Sequence, residues 1–382
     1  AEGAEFHPVN SWERVDFFKP DPNYEEPHGF RFSDVEPIIG AEVAAVQSSV
    51  GLAEVNGFTR IELTGRDVHA FLDRLTCGLV PKRPGRVGLT YLLNDHGMIK
   101  SEATIANIPA SDRGPDRVWY GAAAAAEWHD RDWLAGHIQP DEDVRMRDLT
   151  DMYTILVLAG PKAREVLSSV SRADWSQRGF PWLSARECFV GIAPATVYSL
   201  SFSGELAYEV HVPTNQVYAA YLALRRAGQD HGMRLFGSRA IESMRLEKGF
   251  LHWKSDLLTE FDPFEAGLSR FVKLEKQGFI GREALMARHS SGPRKLLVTL
   301  DVACDHAPSH AGASVMQGGT VCGTVTSGAW GHRVGRNLAL AYVDPETAPA
   351  GSTAEIDILG DLIPATVIAA SPYDPDMSLP RN

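Results

Sequence analysis

Few residue clusters in this chain have the types and spacing to do chemistry on their own. Cys304-Asp305-His306, with His310 four residues on, brings a thiol, a carboxylate and two imidazoles together. That spacing fits no standard zinc site, and Pro308 suits a surface loop. Ser203-Gly204-Glu205 is not a nucleophile elbow, since no G-x-S-x-G is present. No G-x-G-x-x-G follows a strand-like run, and Walker A and H-E-x-x-H motifs are missing. An enzyme built this way uses a bound cofactor, which the protein orients and surrounds with tuned charges.

The elements that must position such a cofactor can be read from periodicity. Prolines 20, 22 and 27 among aromatics suggest an irregular strap over the first 35 or so residues. Helical spacing runs from Glu36 to Val50 and stops at Gly51. Thr59–Leu63 alternates like a strand, and a helix is expected from Asp67 to Leu75. Gly88 to Ala106 reads as two strands around the turn Asn94–Gly97, followed by a strand at Val118–Tyr120 and a helix over Ala122–Ile138. Tyr153–Ala159 is an apolar strand, Lys162–Val170 a helix, and Val197–Val212 a hairpin around Ser203–Glu205. Helices follow at Gln216–Gly228 and Gly237–Lys248, the second stopped by Gly249. After the linker-like Ser290-Ser-Gly-Pro293, short apolar strands alternate with Gly-rich turns, which predicts a small β-barrel or sandwich. The fold expected is α+β, with parts at 1–150, 151–289 and 290–382, the last all-β.

Composition narrows the function classes. The 382 residues are 44% hydrophobic and 23% charged, ordinary for a globular chain and ample for a large core. A net charge of −12 argues against general nucleic-acid binding. No apolar run approaches the ~20 residues of a membrane span, and no secretory signal opens the chain. Four widely spaced cysteines, with no CxxC pair, suit free thiols. A cytoplasmic location is the expectation. The opening Ala1 suggests a processed product or a piece of a longer chain.

Three stretches, in order, are distinctive: Leu93–Glu102 (LNDHGMIKSE), Phe202–Glu209 (FSGELAYE), and Met244–Gly249 with His252-Trp253, running on through Asp262–Gly267 to Phe279–Leu285. Gly323–Gly328 and Ser371–Pro375 continue the series. Together they resemble the glycine-cleavage T-protein (aminomethyltransferase) family, and within it the C-terminal, folate-binding half of dimethylglycine and sarcosine dehydrogenases. The resemblance runs from Trp12 over nearly the whole chain. It implies a three-domain clover-leaf around a central opening for tetrahydrofolate, with a C-terminal barrel-like domain. It also implies one-carbon chemistry at folate N5 and N10, with FAD held in a separate domain or subunit.

The resemblance also assigns residues. Glu209 matches the carboxylate that accepts the adjacent amino group and ring N–H of the pterin, a pairing like that of a carboxylate with an arginine fork. Strand alternation puts it on the face opposite Tyr208 and Val210; read without the resemblance, that face would be solvent. Glu102 matches the acidic residue near folate N10, usually Asp in the family, and is the catalytic candidate; alone it reads as a strand residue paired with Lys100. Leu89 and Phe202 stand where the family often has Tyr, keeping an apolar wall without the hydroxyl. Tyr91 shares the strand face of Leu89 and can substitute in part. Arg245 is a candidate for a glutamyl carboxylate of the folate tail or for a local salt bridge, and Trp253 for the pocket wall or the core. Another Arg of the T-proteins is Ile241 here.

Three functions follow. The first is folate-dependent one-carbon transfer in demethylation of a methylated amine, giving 5,10-methylene-tetrahydrofolate, with an FAD oxidoreductase domain or subunit as partner. The second is direct methyl transfer from a sulfonium, quaternary amine or methoxy-arene donor, giving 5-methyl-tetrahydrofolate. The third is a non-catalytic module of the same fold. The partners expected are a small methyl donor and the FAD protein, not nucleic acid or membrane.

Overall fold

A computed structural model describes residues 2–9 and 12–382. Its architecture is α+β with a closed, six-stranded antiparallel barrel at the C-terminal end. The barrel runs from Leu296–Val302 to Asp361–Ile368, which pair and close it. Closure removes the exposed edges that such short strands would otherwise present. No helix among the described residues is long and apolar enough to cross a membrane.

Two sheets precede the barrel. The first has five strands: Val87–Leu93, Ile99–Ile108, Arg117–Ala122, Thr59–Thr64 and Arg145–Asp148, in that spatial order. The second has six, in the order Ala185–Val190, Ala193–Ser199, Ala207–Pro213, Tyr153–Ala159, Gly51–Val55 and Arg234–Leu235. Alternation sorts the second sheet cleanly. Leu156, Leu158, Val197, Tyr208 and Val210 pack under the helices Ala163–Val170 and Val217–Gly228. The opposite face is covered at one end by the helices Glu36–Ser48 and Ser238–Lys248, which bury Ala53, Ala159 and Ala207. At its other end that face meets the first sheet, where Tyr198 and Ala185 pack against Val87, Ala106, Ile108 and Trp119.

Several expectations need correction. The opening segment contains a hairpin, Ala4–Val9 with Trp12–Phe18, before it becomes irregular. The strand pairs only with its neighbour, so the prolines that follow it do not interrupt it. Gly51 ends the first helix but opens a strand, Gly51–Val55, which joins the sheet otherwise made by residues 153–235. The helix expected over Ala122–Ile138 is shorter, Glu127–Gly136, after one 3₁₀ turn at Ala124–Ala126. Ala122 itself pairs with Thr59 in the first sheet. The helix Arg282–Ser291 carries the chain into Gly292–Arg294 and the barrel.

The helix Ser238–Lys248 lies at the centre, touching the first helix, the Trp12–Phe18 strand and two barrel strands. Its last two turns are almost wholly buried, including Arg245, Glu247 and Lys248. Buried charges persist only when paired and hydrogen-bonded, and each of these is. Arg245 binds Glu242 and reaches Asp256 at 2.6 Å and Ser327 at 2.8 Å. Glu247 holds Arg333, which also reaches Glu205 at 2.7 Å. Lys248 is tied to Asp374. Gly204 makes room for this arrangement. Its φ is +82°, and a Cβ there would fall 2.2 Å from Cγ of Lys248.

Candidate functional site

The facing surfaces of the two sheets form the site. On the first sheet, Glu102, Thr104, Ala106 and Ile108 share one face of the Ile99–Ile108 strand. Register extends that face in rows: Val87–Ala106–Trp119–Glu62, then Leu89–Thr104–Gly121–Arg60, then Tyr91–Glu102. On the second sheet, Glu209 lies in register with Tyr198 on one side and Val157 on the other, and His211 shares its face two residues on. Ala106, Ile108, Trp119 and Tyr198 close the space between the sheets like a floor.

Beyond that floor the packing opens. Leu89, Glu102, Thr104 and Gly121 on one sheet, and Val157 and Glu209 on the other, are half-buried, whereas their strand neighbours, Gly88 apart, are buried. Gly121 has no side chain, so its row is hollow between Arg60 and Thr104. Both carboxylates therefore face a common intersheet space. Two surface clefts lie elsewhere, one beside Phe6, Trp12 and Glu54, the other beside Lys254, Phe261 and Tyr342; neither is lined by Glu102 or Glu209.

The electrostatics of the two carboxylates match. Burial pushes the pKa of Glu102 up to about 7, and a hydrogen bond from the Tyr91 hydroxyl partly opposes the rise. Burial does the same to Glu209, also to about 7, with Arg60 opposing it. Yet 22% of the Glu209 side chain stays accessible, and Glu102 is half-buried. A concave wall reconciles these facts: protein crowds the group while one edge stays open. Perturbed acids in such a setting are the usual mark of a functional site. A carboxyl near pKa 7 can accept or return a proton at neutral pH.

Around Glu209, Arg60 is 4% exposed and His211 3%. Arg60 bonds Nδ1 of His211 through Nη2, while its guanidinium lies over the rings of Trp119 and Tyr153, 5.3 Å from each centroid. His211 Nε2 sits 3.2 Å from Oε2 of Glu209, without the alignment of a full hydrogen bond. Burial, and then Arg60, hold the imidazole pKa well below its usual value. The contact is thus between neutral imidazole and carboxyl rather than an ion pair.

The sequence-derived candidates separate in space. Glu102, Leu89 and Glu209 line the opening. Tyr91 is buried behind it, its hydroxyl on Glu102 and its ring edge-on to Phe271 at 5.5 Å. Trp253 is buried and donates Nε1–H to the carbonyl of Lys100, two residues from Glu102. Lys100 itself is displaced at a bulge in the strand pairing. Its ammonium lies 3.1 Å from Nε2 of His129 rather than against Glu102. Phe202 is at the surface, stacked on Phe250 at 6.1 Å. Arg245 is placed differently from a ligand-tail residue. It is 1% exposed, and Glu242, Asp256, Ser327 and the carbonyl of Phe250 take its fork. Of the metal-like cluster, Cys304 Sγ lies 3.5 Å from His306, but His310 Nε2 faces the carbonyl of Phe30.

Arg60, Thr104, Gly121, Val157 and His211 belong to this space and were not singled out in the sequence. A signal existed for one of them: His211 stands between Val210 and Val212 in an otherwise apolar stretch of strand, whereas Arg60 fits the alternation of Thr59–Leu63. A polar residue inside a buried strand needs a partner.

The fold is of the T-protein type, two sheets followed by a closed C-terminal barrel. The described chain superposes on the crystal structure of glycine cleavage system aminomethyltransferase T from Bartonella henselae with a TM-score of 0.83. That match has 21% identity and covers 98% of this chain and 95% of the other, a likeness of fold. The GCVT N-terminal domain matches residues 1–276, and the glycine cleavage T-protein C-terminal barrel domain matches residues 295–374. The chain belongs to the glycine-cleavage T-protein family. It is 31% identical over 360 residues to mitochondrial dimethylglycine dehydrogenase of Mus musculus, covering 94% of this chain and 41% of that protein. To mitochondrial sarcosine dehydrogenase of Mus musculus it is 28% identical over 417 residues, covering 98% of this chain and 45% of that protein. The chain thus spans less than half the length of these two relatives.

Proposed function

We propose that this chain binds tetrahydrofolate between its two facing sheets and loads it with a one-carbon unit from a methylated amine of the dimethylglycine or sarcosine type. The product is 5,10-methylene-tetrahydrofolate, and an FAD oxidoreductase domain or subunit supplies the carbon already oxidised by two electrons. The observation that carries this reading is the pair of half-open carboxylates, Glu102 and Glu209, on facing sheets of a T-protein fold. The parts 1–150 and 151–289 share the pocket in this reading, and 290–382 is the barrel.

Tetrahydrofolate supplies two nucleophilic nitrogens, N5 and N10, that capture the carbon. The chain's own residues do the rest. Glu209 accepts the two adjacent N–H donors of the pterin edge, which fixes the ring's orientation. Binding two donors favours its ionised form, so binding draws its pKa down. The amine leaves with the N5 proton as its bond to the oxidised carbon breaks, and Glu102 takes the N10 proton released as the second carbon–nitrogen bond of the product forms. Tyr91 holds Glu102 in place by its hydroxyl. Leu89 supplies apolar wall, which keeps water from an iminium carbon.

The test is transfer from dimethylglycine in the presence of an FAD-dependent dehydrogenase, with the folate product identified by mass. Glu102→Gln is expected to keep tetrahydrofolate binding and to lower the rate by about 10²-fold or more. A 5-methyl product would replace this reading with direct methyl transfer. A chain that binds no tetrahydrofolate would leave only the non-catalytic module.

A further inference from the structure

Glu209 is held by a chain of two buried groups, Arg60 and His211, for which neither the family match nor the sequence motifs give a role. Arginine only donates. The Nδ1 atom of His211, bonded by Nη2 of Arg60, must therefore be the acceptor, bare of hydrogen. A neutral imidazole with a bare Nδ1 carries its proton on Nε2. Nε2 lies 3.2 Å from Oε2 of Glu209, close enough for that proton to reach it on a small rotation, although the two are not aligned as a full hydrogen bond and Nε2 has no hydrogen-bond partner. The ring has little freedom to turn away. Tyr198 lies 4.2 Å from it, tilted by 47°, and Trp119 lies 6.2 Å away. Arg60 is itself clamped between Trp119 and Tyr153.

We propose that Arg60 and His211 are positioning residues for Glu209: Arg60 fixes the Nε2–H tautomer of His211, and that hydrogen orients the Glu209 carboxylate for a ligand edge with two adjacent N–H donors. Each carboxylate oxygen has lone pairs to spare. One oxygen can accept from His211 and still share the ligand, so the relay and the ligand do not compete. The direction of the relay also sets specificity. Once ionised, Glu209 offers no donor to a ligand edge presenting acceptors, whereas an amino group beside a ring N–H finds both oxygens ready and favours that ionised form. Arg60 belongs to the first sheet and His211 to the second, so the relay couples the carboxylate's orientation to the docking of the two sheets.

The ligand part of this inference rests on the folate reading; the tautomer part does not. Nitrogen-15 NMR of histidine-labelled chain reads the tautomer directly, without any ligand. The wild type is expected to show His211 as neutral Nε2–H, and Arg60→Met to move the proton wholly or partly to Nδ1. An Nδ1–H or protonated His211 in the wild type would overturn the relay, whatever the chain binds. Tetrahydrofolate titration then reads its use. His211→Phe is expected to weaken binding about tenfold, and His211→Gln, whose amide nitrogen can donate in the place of Nε2, to restore most of it. Equal weakening by Phe and Gln would assign His211 to packing alone and overturn the positioning role. Complete absence of binding in the wild type, with the Nε2–H tautomer present, would refute the folate reading and the relay's service to it, while leaving the relay itself.

Discussion

The central helix and the intersheet opening treat charge in opposite ways. Around Ser238–Lys248 every buried charge is answered. Asp256, fully buried, accepts from Arg245, the His252 amide, Thr326 and Ser327. Arg333 joins Glu205 and Glu247 while stacking 3.9 Å over Tyr373, whose hydroxyl also binds Glu205. In the opening, Glu102 has one neutral hydroxyl and Glu209 one imperfectly aligned imidazole. The first region uses charge to lock three parts of the chain together. The second leaves carboxylates under-satisfied, which raises their pKa values and keeps their acceptor capacity for a ligand.

The comparison can be broken first at the hub. Asp256→Ala takes from the buried Arg245 its fully buried carboxylate partner and from the His252 amide and two hydroxyls their acceptor. Loss of one partner of a buried pair costs about 3–5 kcal/mol, and urea unfolding is expected to show a loss of that order. Loss below about 1 kcal/mol would mean the network is not holding the parts together.

The opening is expected to respond in the reverse sense. Both carboxyls have folded pKa values raised to about 7 from an ordinary value of 4.5. The folded state therefore binds protons that the unfolded state has already lost between those values. Each group lowers stability as pH rises through that window, and the full cost is present above pH 7. Glu102→Gln removes a cost on the order of 3 kcal/mol at pH 8 and changes little at pH 4. Paired melting curves at the two pH values check this, and an equal shift at both would show that ionisation is not the cause. The smallest effect is expected at Tyr91. Its hydroxyl lowers the Glu102 pKa, so Tyr91→Phe should move the lower limb of the pH–rate profile to higher pH, with a stability loss of about 1 kcal/mol. An unmoved profile would separate Tyr91 from the proton transfer.

This contrast explains what the sequence disclosed. The recognisable motifs are largely those of the hub. Glu205 of FSGELAYE meets Arg333 and Tyr373, and Asp262 and Glu265 fold into a self-capped turn that grips Arg294. Densely paired networks demand particular residues at fixed spacings, so they leave runs that can be recognised. The α+β order, the hairpin around Asn94–Gly97 and the C-terminal barrel were legible for the same reason or from plain alternation. The opening is built from one or two residues on each of six strands in two sheets, whose juxtaposition depends on register and on how the sheets dock. Glu102 and Glu209 were visible only because each ends a recognisable run. Arg60 and His211 are 151 positions apart, and nothing local links them. Arg245 takes the local salt-bridge alternative, pairing with Glu242 and Asp256 in a motif whose purpose here is architectural. The helix Ser238–Lys248 hid its burial, since its interior face is charged rather than apolar.

The most direct measurement is calorimetric titration of tetrahydrofolate at pH 7 into the wild type and Glu209→Ala, each in two buffers of different ionisation enthalpy. The account predicts micromolar binding by the wild type, accompanied by release of a fraction of a proton as the Glu209 carboxyl ionises against the ligand, and loss of binding in the variant. Binding of equal strength in both proteins, or none by either, would contradict it.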